Sequence, residues 1–196
     1  MLKNLTKAIL KIKAFYKRFA LILGIVLPIC LYAFMPGVSV FTTPLSFFGI
    51  TQKTQTLWIV FNQLMAIALL MFGLKANENL AEHPQNKKRK KILEILLVVS
   101  VMAFALSGMI TMDIHIPHLT LAGIFFLVYV GYIFWYGYFS KHKTISLSLW
   151  SILIVVLNLI AIGLTFYFGI SYGFFEIVFI FTVVFWNFLM IKYKKV

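Results

Sequence analysis

Asp113, His115 and His118 sit together in the stretch Thr111-Met112-Asp113-Ile114-His115-Ile116-Pro117-His118, which holds two of the four histidines of the chain. A carboxylate that orients an imidazole makes a general base, so Asp113 and His118 are weak catalytic candidates, with Ser46 and Ser107 as the only evident nucleophiles. Nitrogen and carboxylate ligands also suit zinc, which makes His115, His118 and Asp113, with Glu176 beside them, weak metal candidates, although their spacing matches no strong motif. A third chemistry requires no reaction: Ser46, Asn62, Asp113, His115, His118 and Glu176 would hold a headgroup by hydrogen bonds. Against all three stands a plain reading, in which Asp113 and the histidines are turn and helix-start residues wetted by interfacial water, with Pro117 opening the next helix. No cofactor is expected.

The elements that must position these residues follow from composition. Of 196 residues, 62% are hydrophobic, 17% aromatic and only 12% charged, against about a quarter charged in a soluble domain. A globule of this size still exposes much of its surface, so no water-soluble fold hides so much apolar area. Lipid is the remaining solvent. Each crossing needs about 20 apolar residues as helix, and six runs qualify, at about 19–35, 57–74, 92–111, 118–139, 145–168 and 172–191. The runs are continuous rather than alternating, which excludes a β-barrel. The expected fold class is all-α: a polytopic bundle of six transmembrane helices at 19–191, between a basic segment at 1–18 and a basic tail at 192–196.

Seventeen of the eighteen lysines and arginines fall before the first run, between the second and third, between the fourth and fifth, or after the sixth; Lys53 is the exception. Basic loops stay inside, so both termini are expected to be cytoplasmic in a multi-pass protein of the cell membrane. The clusters flank apolar runs rather than interleaving with base-stacking residues, which argues against nucleic acid and for anionic headgroups as partners. Residues 2–17 place Leu2, Leu5, Ile9, Ile12 and Phe15 near one helical face, as in an amphipathic helix on the inner leaflet. No small-x-small site follows Tyr32-Ala33, so this start is expected to be retained rather than cleaved as a signal. Cys30 is the single cysteine, so no internal disulfide forms.

Polar residues at membrane depth carry the most information, because each must be compensated. Of the five acidic residues, Glu78, Glu82 and Glu94 fall on the basic side, and Glu94 follows Lys90 at ion-pair spacing. Asp113 and Glu176 map to the outer side, with Asn62 and Gln63 at a similar depth. Four elements thus bring polar groups to one level beneath the outer headgroups. Asn158 and Asn187 are expected to make interhelical hydrogen bonds, Ser107-Gly108 and Gly163 to be close-packing positions, and Trp58 to be an interfacial anchor. The Ser/Thr-rich stretch 36–56 is expected to rest in the outer interface, and 75–91 to be a solvated loop.

Read along its length, the chain resembles a family of prokaryotic six-helix membrane proteins with a domain of unknown function, grouped distantly with the FGF-receptor-activating protein and DRAM-like proteins. Pro44-Leu45-Ser46-Phe47-Phe48-Gly49 with Phe61-Asn62 looks like the family's Leu-Ser-x-x-Gly turn and Phe-Asn helix entry. Ser107-Gly108, Asp113, His118, Ala122 and Phe125-Phe126 look like its small-Gly pair, outer acid and His-led helix face. Met109-Ile110-Thr111 departs from the Phe-Pro of many relatives, and the Gly often found after Phe-Asn is missing. The resemblance implies lipid handling, since eukaryotic relatives are similar to lipid-handling and trafficking factors, and it selects Ser46, Asn62, Asp113 and His118. The expectation is a protein that binds or handles a lipid or amphiphile in an outer-facing polar pocket. The alternatives are a membrane-embedded lipid-modifying enzyme with an Asp113–His118 pair, and a structural subunit or small transporter with an oligomeric or partner membrane protein.

Overall fold

A computed structural model describes residues 22, 24–33, 35, 37–80, 87–140 and 145–192. The expected amphipathic segment at 1–18, the tail beyond 192 and the loop cations Lys141 and Lys143 lie outside the described residues. Within them the chain is all-helical: α1 (Gly24–Ala33), α2 (Gln55–Leu80), α3 (Lys87–Met109), α4 (His115–Ser140), α5 (Ile145–Phe168) and α6 (Gly173–Lys192), with a short 3-10 turn at Leu45–Gly49. Helices α2 to α6 are long and apolar enough to cross a membrane, and the described part of α1 is apolar but shorter. Large apolar side chains are exposed along every helix, including Leu127, Ile145, Leu149 and Phe166. That outer surface suits acyl chains and would be an aggregation liability in water.

The helices overrun the apolar windows on the basic side. α2 continues through Lys75 to Leu80 and α3 starts at Lys87, so much of the stretch expected as a loop is helix. Hydropathy ends where hydrocarbon ends, whereas a helix ends where its backbone bonding stops. Lys75 pairs with Glu78, and Lys90 lies 3.5 Å from Glu94.

Consecutive helices from α2 to α6 pack against one another. α6 also meets α4, where Phe179, Val183 and Trp186 share one core with Phe125, Tyr129, Tyr132 and Ile133. α1 packs on α2 and α6 through Leu27 and Leu31, in a second core with Phe61, Met65 and Val184. With no hydrophobic force between helices in lipid, close approach at small residues and interhelical hydrogen bonds fix the contacts. A Cβ on Gly108 would fall 2.5 Å from Asn62 Cβ, one on Gly73 2.4 Å from Leu97, and one on Gly137 2.4 Å from Ser151 Cβ. Gly163 behaves differently from expectation: nothing lies within 4 Å of its Cβ position, so it faces outward rather than a neighbour.

Buried polar side chains mostly return to their own helix. Ser100, Ser107, Ser140, Ser151, Thr165, Asn62, Asn158 and Asn187 each donate to a carbonyl three or four residues back, which costs no unpaired donor in hydrocarbon. A few reach across. Asn158 Nδ2 meets Thr182 Oγ1 at 2.8 Å, Trp186 Nε1 meets Ser151 Oγ at 3.0 Å, and Gln63 Nε2 meets the Ala105 carbonyl at 2.9 Å. Tyr129, Tyr132 and Tyr136 form a column on α4. Asn187 donates to Tyr129, Tyr132 donates to Asn77 and the Gly73 carbonyl, and Tyr136 donates to the Ala76 carbonyl.

Two glycines of α4 give a paired test of this packing. Gly137→Ala should destabilise the protein by about 1–3 kcal/mol, since the methyl overpacks α5. Gly131→Ala, with nothing within 4 Å of the new atom, should stabilise it by about 0.5–1 kcal/mol through helix propensity. Reversible unfolding in mixed micelles measures both.

Candidate functional site: a polar cavity under the 37–54 strap

The connection between α1 and α2 folds as a strap over one end of the helices, packed on them rather than free. Leu45 and Phe48 are fully buried, and Ser46 nearly so. The strap is fastened by backbone groups that would otherwise lack partners. Tyr32 donates to the Thr43 carbonyl at 2.8 Å, Ser171 N–H donates to the Phe41 carbonyl at 3.0 Å, and Thr54 Oγ1 donates to the Phe48 carbonyl at 2.7 Å. Phe41 stacks on Phe174 at 5.9 Å. A Cβ on Gly173 would lie 2.2 Å from the Thr43 carbonyl oxygen, so only glycine admits the strap there. Trp58, expected as an interfacial anchor, is buried against the strap. Its indole carbon comes within 2.6 Å of where a Gly49 Cβ would sit, so it carries the 3-10 turn.

Glu176 completes the fastening. The first N–H groups of any helical turn lack partners inside it, and here Pro44 supplies no side-chain cap. The Glu176 carboxylate on α6 accepts the Leu45 N–H, and the Ser46 N–H is directed at it too.

Beneath the strap lies a cavity of about 200 Å³, lined by Ser46, Met112, His118, Leu119, Gly123, Phe126, Tyr172, Phe175 and Glu176 among others. A narrower recess of about 40 Å³ continues from it between Asn62, Ser107, His118, Phe125 and Glu176. Ser46, His118, Ala122, Phe126 and Glu176 line both. His118, Phe175 and Ser46 are buried, whereas Leu119 and Tyr172 are substantially exposed, so the space reaches the outer surface of the helices at its side.

His118 is held by carbonyls. Its Nδ1 lies 3.0 Å from the Ser107 oxygen and 2.7 Å from the Ile110 oxygen. A carbonyl only accepts, so Nδ1 carries the hydrogen and Nε2 is the ring's acceptor in the neutral form. Ser46 Oγ is turned to Met112 Sδ at 3.6 Å rather than to His118. Asn62 gives its Nδ2 to the Trp58 carbonyl at 2.8 Å.

The structure therefore brings together four of the six residues singled out from sequence: Ser46, Asn62, His118 and Glu176. It leaves Asp113 and His115 outside the cavity, both exposed. The Asp113–His118 pair is corrected on this point: Asp113 accepts from the Thr111 hydroxyl two residues away, while the imidazole is oriented by α3 carbonyls. Among the described residues no three His, Cys, Asp or Glu side chains converge on a metal position. Reading the sequence missed Met112, Gly123, Tyr172 and Phe175. Tyr172 carried a signal, since its place one helical turn before Glu176 suits a hydrogen bond to that carboxyl, whereas Gly123 is one of three glycines in α4 and nothing in the sequence sets it apart.

The fold and this cavity define a membrane-embedded helical protein with a partly polar site at one end. Comparison with family models, with curated proteins and with solved structures finds no match to the chain.

Two measurements probe the fastenings. Glu176→Ala should speed amide exchange at Leu45 and Ser46 by about tenfold, the worth of one lost hydrogen bond, while Glu176→Gln, which keeps an acceptor, should change it far less. Asp113 titrates below the ordinary aspartate range, chiefly because the Thr111 hydroxyl donates to it, with its own and the Ile114 N–H groups adding to this against some desolvation. A depressed folded value means that its contribution is present above the unfolded pKa and is lost as pH falls through the folded one. Thr111→Val should move the Asp113 titration upward in a pH-dependent NMR or exchange measurement.

Proposed function

We propose that this chain crosses the cell membrane six times with both termini cytoplasmic, and that the cavity under the strap binds the polar end of a lipid or other amphiphile at the outer leaflet. The observation that carries the reading is the cavity itself: polar Ser46, His118 and Glu176 and aromatic Phe126 and Phe175 around about 200 Å³, open sideways past Leu119 and Tyr172. Pockets that bury a drug-sized ligand are larger, on the order of 300–1,000 Å³. A headgroup or a chain end fits, with the rest of the molecule left among neighbouring lipids.

Sidedness rests on the cations. Lys87, Lys88, Arg89, Lys90 and Lys91 open α3, where the positive end of the helix dipole disfavours cations. Anionic headgroups of the inner leaflet would offset that cost. The strap, the α3–α4 turn and the α5–α6 turn then face outward. Membership of the prokaryotic six-helix family, grouped distantly with the FGF-receptor-activating protein and DRAM-like proteins, belongs to this proposal. It is supported by Ser46, Asn62 and His118 of the quoted motifs lining connected space.

A second reading, chemistry on the bound lipid, is favoured by one feature: the carbonyls that fix Nδ1–H leave Nε2 of His118 as the basic nitrogen. Asp113 has no part in it.

Gly123 provides the test. Gly123 lines the cavity and a Cβ there meets nothing within 4 Å, so Gly123→Leu adds bulk at the cavity wall without a clash at its first atom. Native mass spectrometry of protein in mild detergent should show a co-purifying amphiphile on the wild type and its loss in Gly123→Leu, with folding intact. Equal retention by both would overturn the reading. An Ile114→Cys label should react from outside intact cells; protection there would overturn the orientation.

A further inference from the structure

The cavity has an unusual balance of hydrogen-bonding groups, and this points to the chemistry of what it takes. No lysine or arginine lines it. Glu176 receives backbone N–H groups from the strap, so its carboxyl oxygens serve there as acceptors. His118 has its Nδ1–H committed to two carbonyls, so its remaining nitrogen accepts. Asn62 has its amide N–H committed to Trp58, so its oxygen is the atom left for the recess. Ser46 offers a hydroxyl whose lone pairs also accept. Glu176, His118 and Asn62 thus meet the space as acceptors, beside the Tyr172 hydroxyl and the Trp58 indole of the same wall.

A carboxyl group in low-dielectric surroundings either keeps its proton or stands beside a counter-charge, so a bound cation is what would hold Glu176 ionised. Lys53, the one lysine or arginine on the strap side among the described residues, is exposed and lines neither part of the cavity. The rest of the wall adds to the bias: Phe126, Phe175 and Tyr172 supply aromatic rings, whose faces attract cations. An anionic headgroup would meet the carboxylate and no cation. A neutral hydroxyl would satisfy one acceptor and bring no counter-charge.

We propose that the group held beneath the strap, on the lipid-binding reading of this cavity, is a primary ammonium. Its three N–H donors would be shared among Glu176, His118 Nε2 and either Ser46 or Asn62. The tail would leave past Leu119 and Tyr172.

Dodecylamine, dodecanol, dodecyltrimethylammonium and dodecanoate differ only in the head and can be titrated against the full-length protein in non-ionic micelles, with tryptophan fluorescence and thermal unfolding as readouts. Dodecylamine should bind roughly tenfold more tightly than each of the others, the scale of one charge-assisted hydrogen bond. Glu176→Gln should abolish that preference while keeping the strap acceptor, and Gly123→Leu should abolish binding of all four. Lyso-phosphatidylethanolamine against lyso-phosphatidylcholine gives the source. Selective binding of the former marks a lipid headgroup, and binding of dodecylamine without it marks a free amphiphilic amine; either outcome supports the ammonium. Equal affinities across the four heads, or an unchanged preference in Glu176→Gln, overturn the inference while the cavity reading stands. Absence of any Gly123-dependent binding overturns the cavity reading itself.

Discussion

The Glu176 carboxylate over the first N–H groups of the Leu45–Gly49 turn is the contact on which the strap end of the molecule depends. Non-helical backbone at membrane depth survives only where it is buried in protein and its polar groups find partners. The strap meets that condition through four unlike donors and acceptors, from Tyr32, Thr54, Ser171 and Glu176. Without the carboxylate, Leu45 would place an unpaired N–H in an apolar setting, where such a group costs about 1–3 kcal/mol. The strap is also the roof of the cavity, so the same contact that satisfies the backbone gives the space its shape.

His118 repeats the logic at the other wall. The last carbonyls of a helix lack partners within it, and those of Ser107 and Ile110 lie at the end of α3 and just beyond it. The imidazole of α4 supplies one N–H to both. Each of the two most polar residues of the cavity thus completes a helix end with one atom and presents another to the space. Their presence at membrane depth has a structural reason that stands whether or not a ligand binds. The same reason explains why their free atoms are acceptors at fixed positions rather than mobile side chains, and fixed positions are what a selective site needs.

Much of this was legible in the chain. Continuous apolar runs announced the helices, and the scarcity of acids made Glu176 conspicuous. Ser46, Asn62 and His118 were marked by depth or motif before any geometry. The misreadings have physical causes. Asp113 and His118 stand five residues apart across a helix start, and sequence could not show that the Thr111 hydroxyl, two residues back, would take the carboxylate. Gly137 and Gly163 look alike in sequence, yet one touches Ser151 and the other touches nothing. A helix apolar on all sides carries no stripe to say which face meets protein, so packing faces, and with them Trp58 and Gly123, were hidden. The Tyr129, Tyr132 and Tyr136 column has helical spacing and was visible in principle, but tyrosines pass for apolar residues in a hydropathy count.

That column bears on what kind of site this is. Below the cavity, Phe125 stacks on Phe104 at 4.4 Å and meets Phe179 edge-on at 5.2 Å, while Phe126 meets Phe179 at 4.7 Å. Deeper still, Tyr129, Tyr132 and Trp186 are fully buried. Their hydroxyl and indole groups are engaged with Asn187, Asn77, Ser151 and backbone carbonyls rather than with a continuous channel. A translocation path through the centre would have to part these rings and break their interhelical bonds together, and interiors packed at crystal-like density do not deform gradually. The described helices therefore enclose a recess with a floor. Its opening is lateral, past Leu119 and Tyr172, rather than along the centre of the helices.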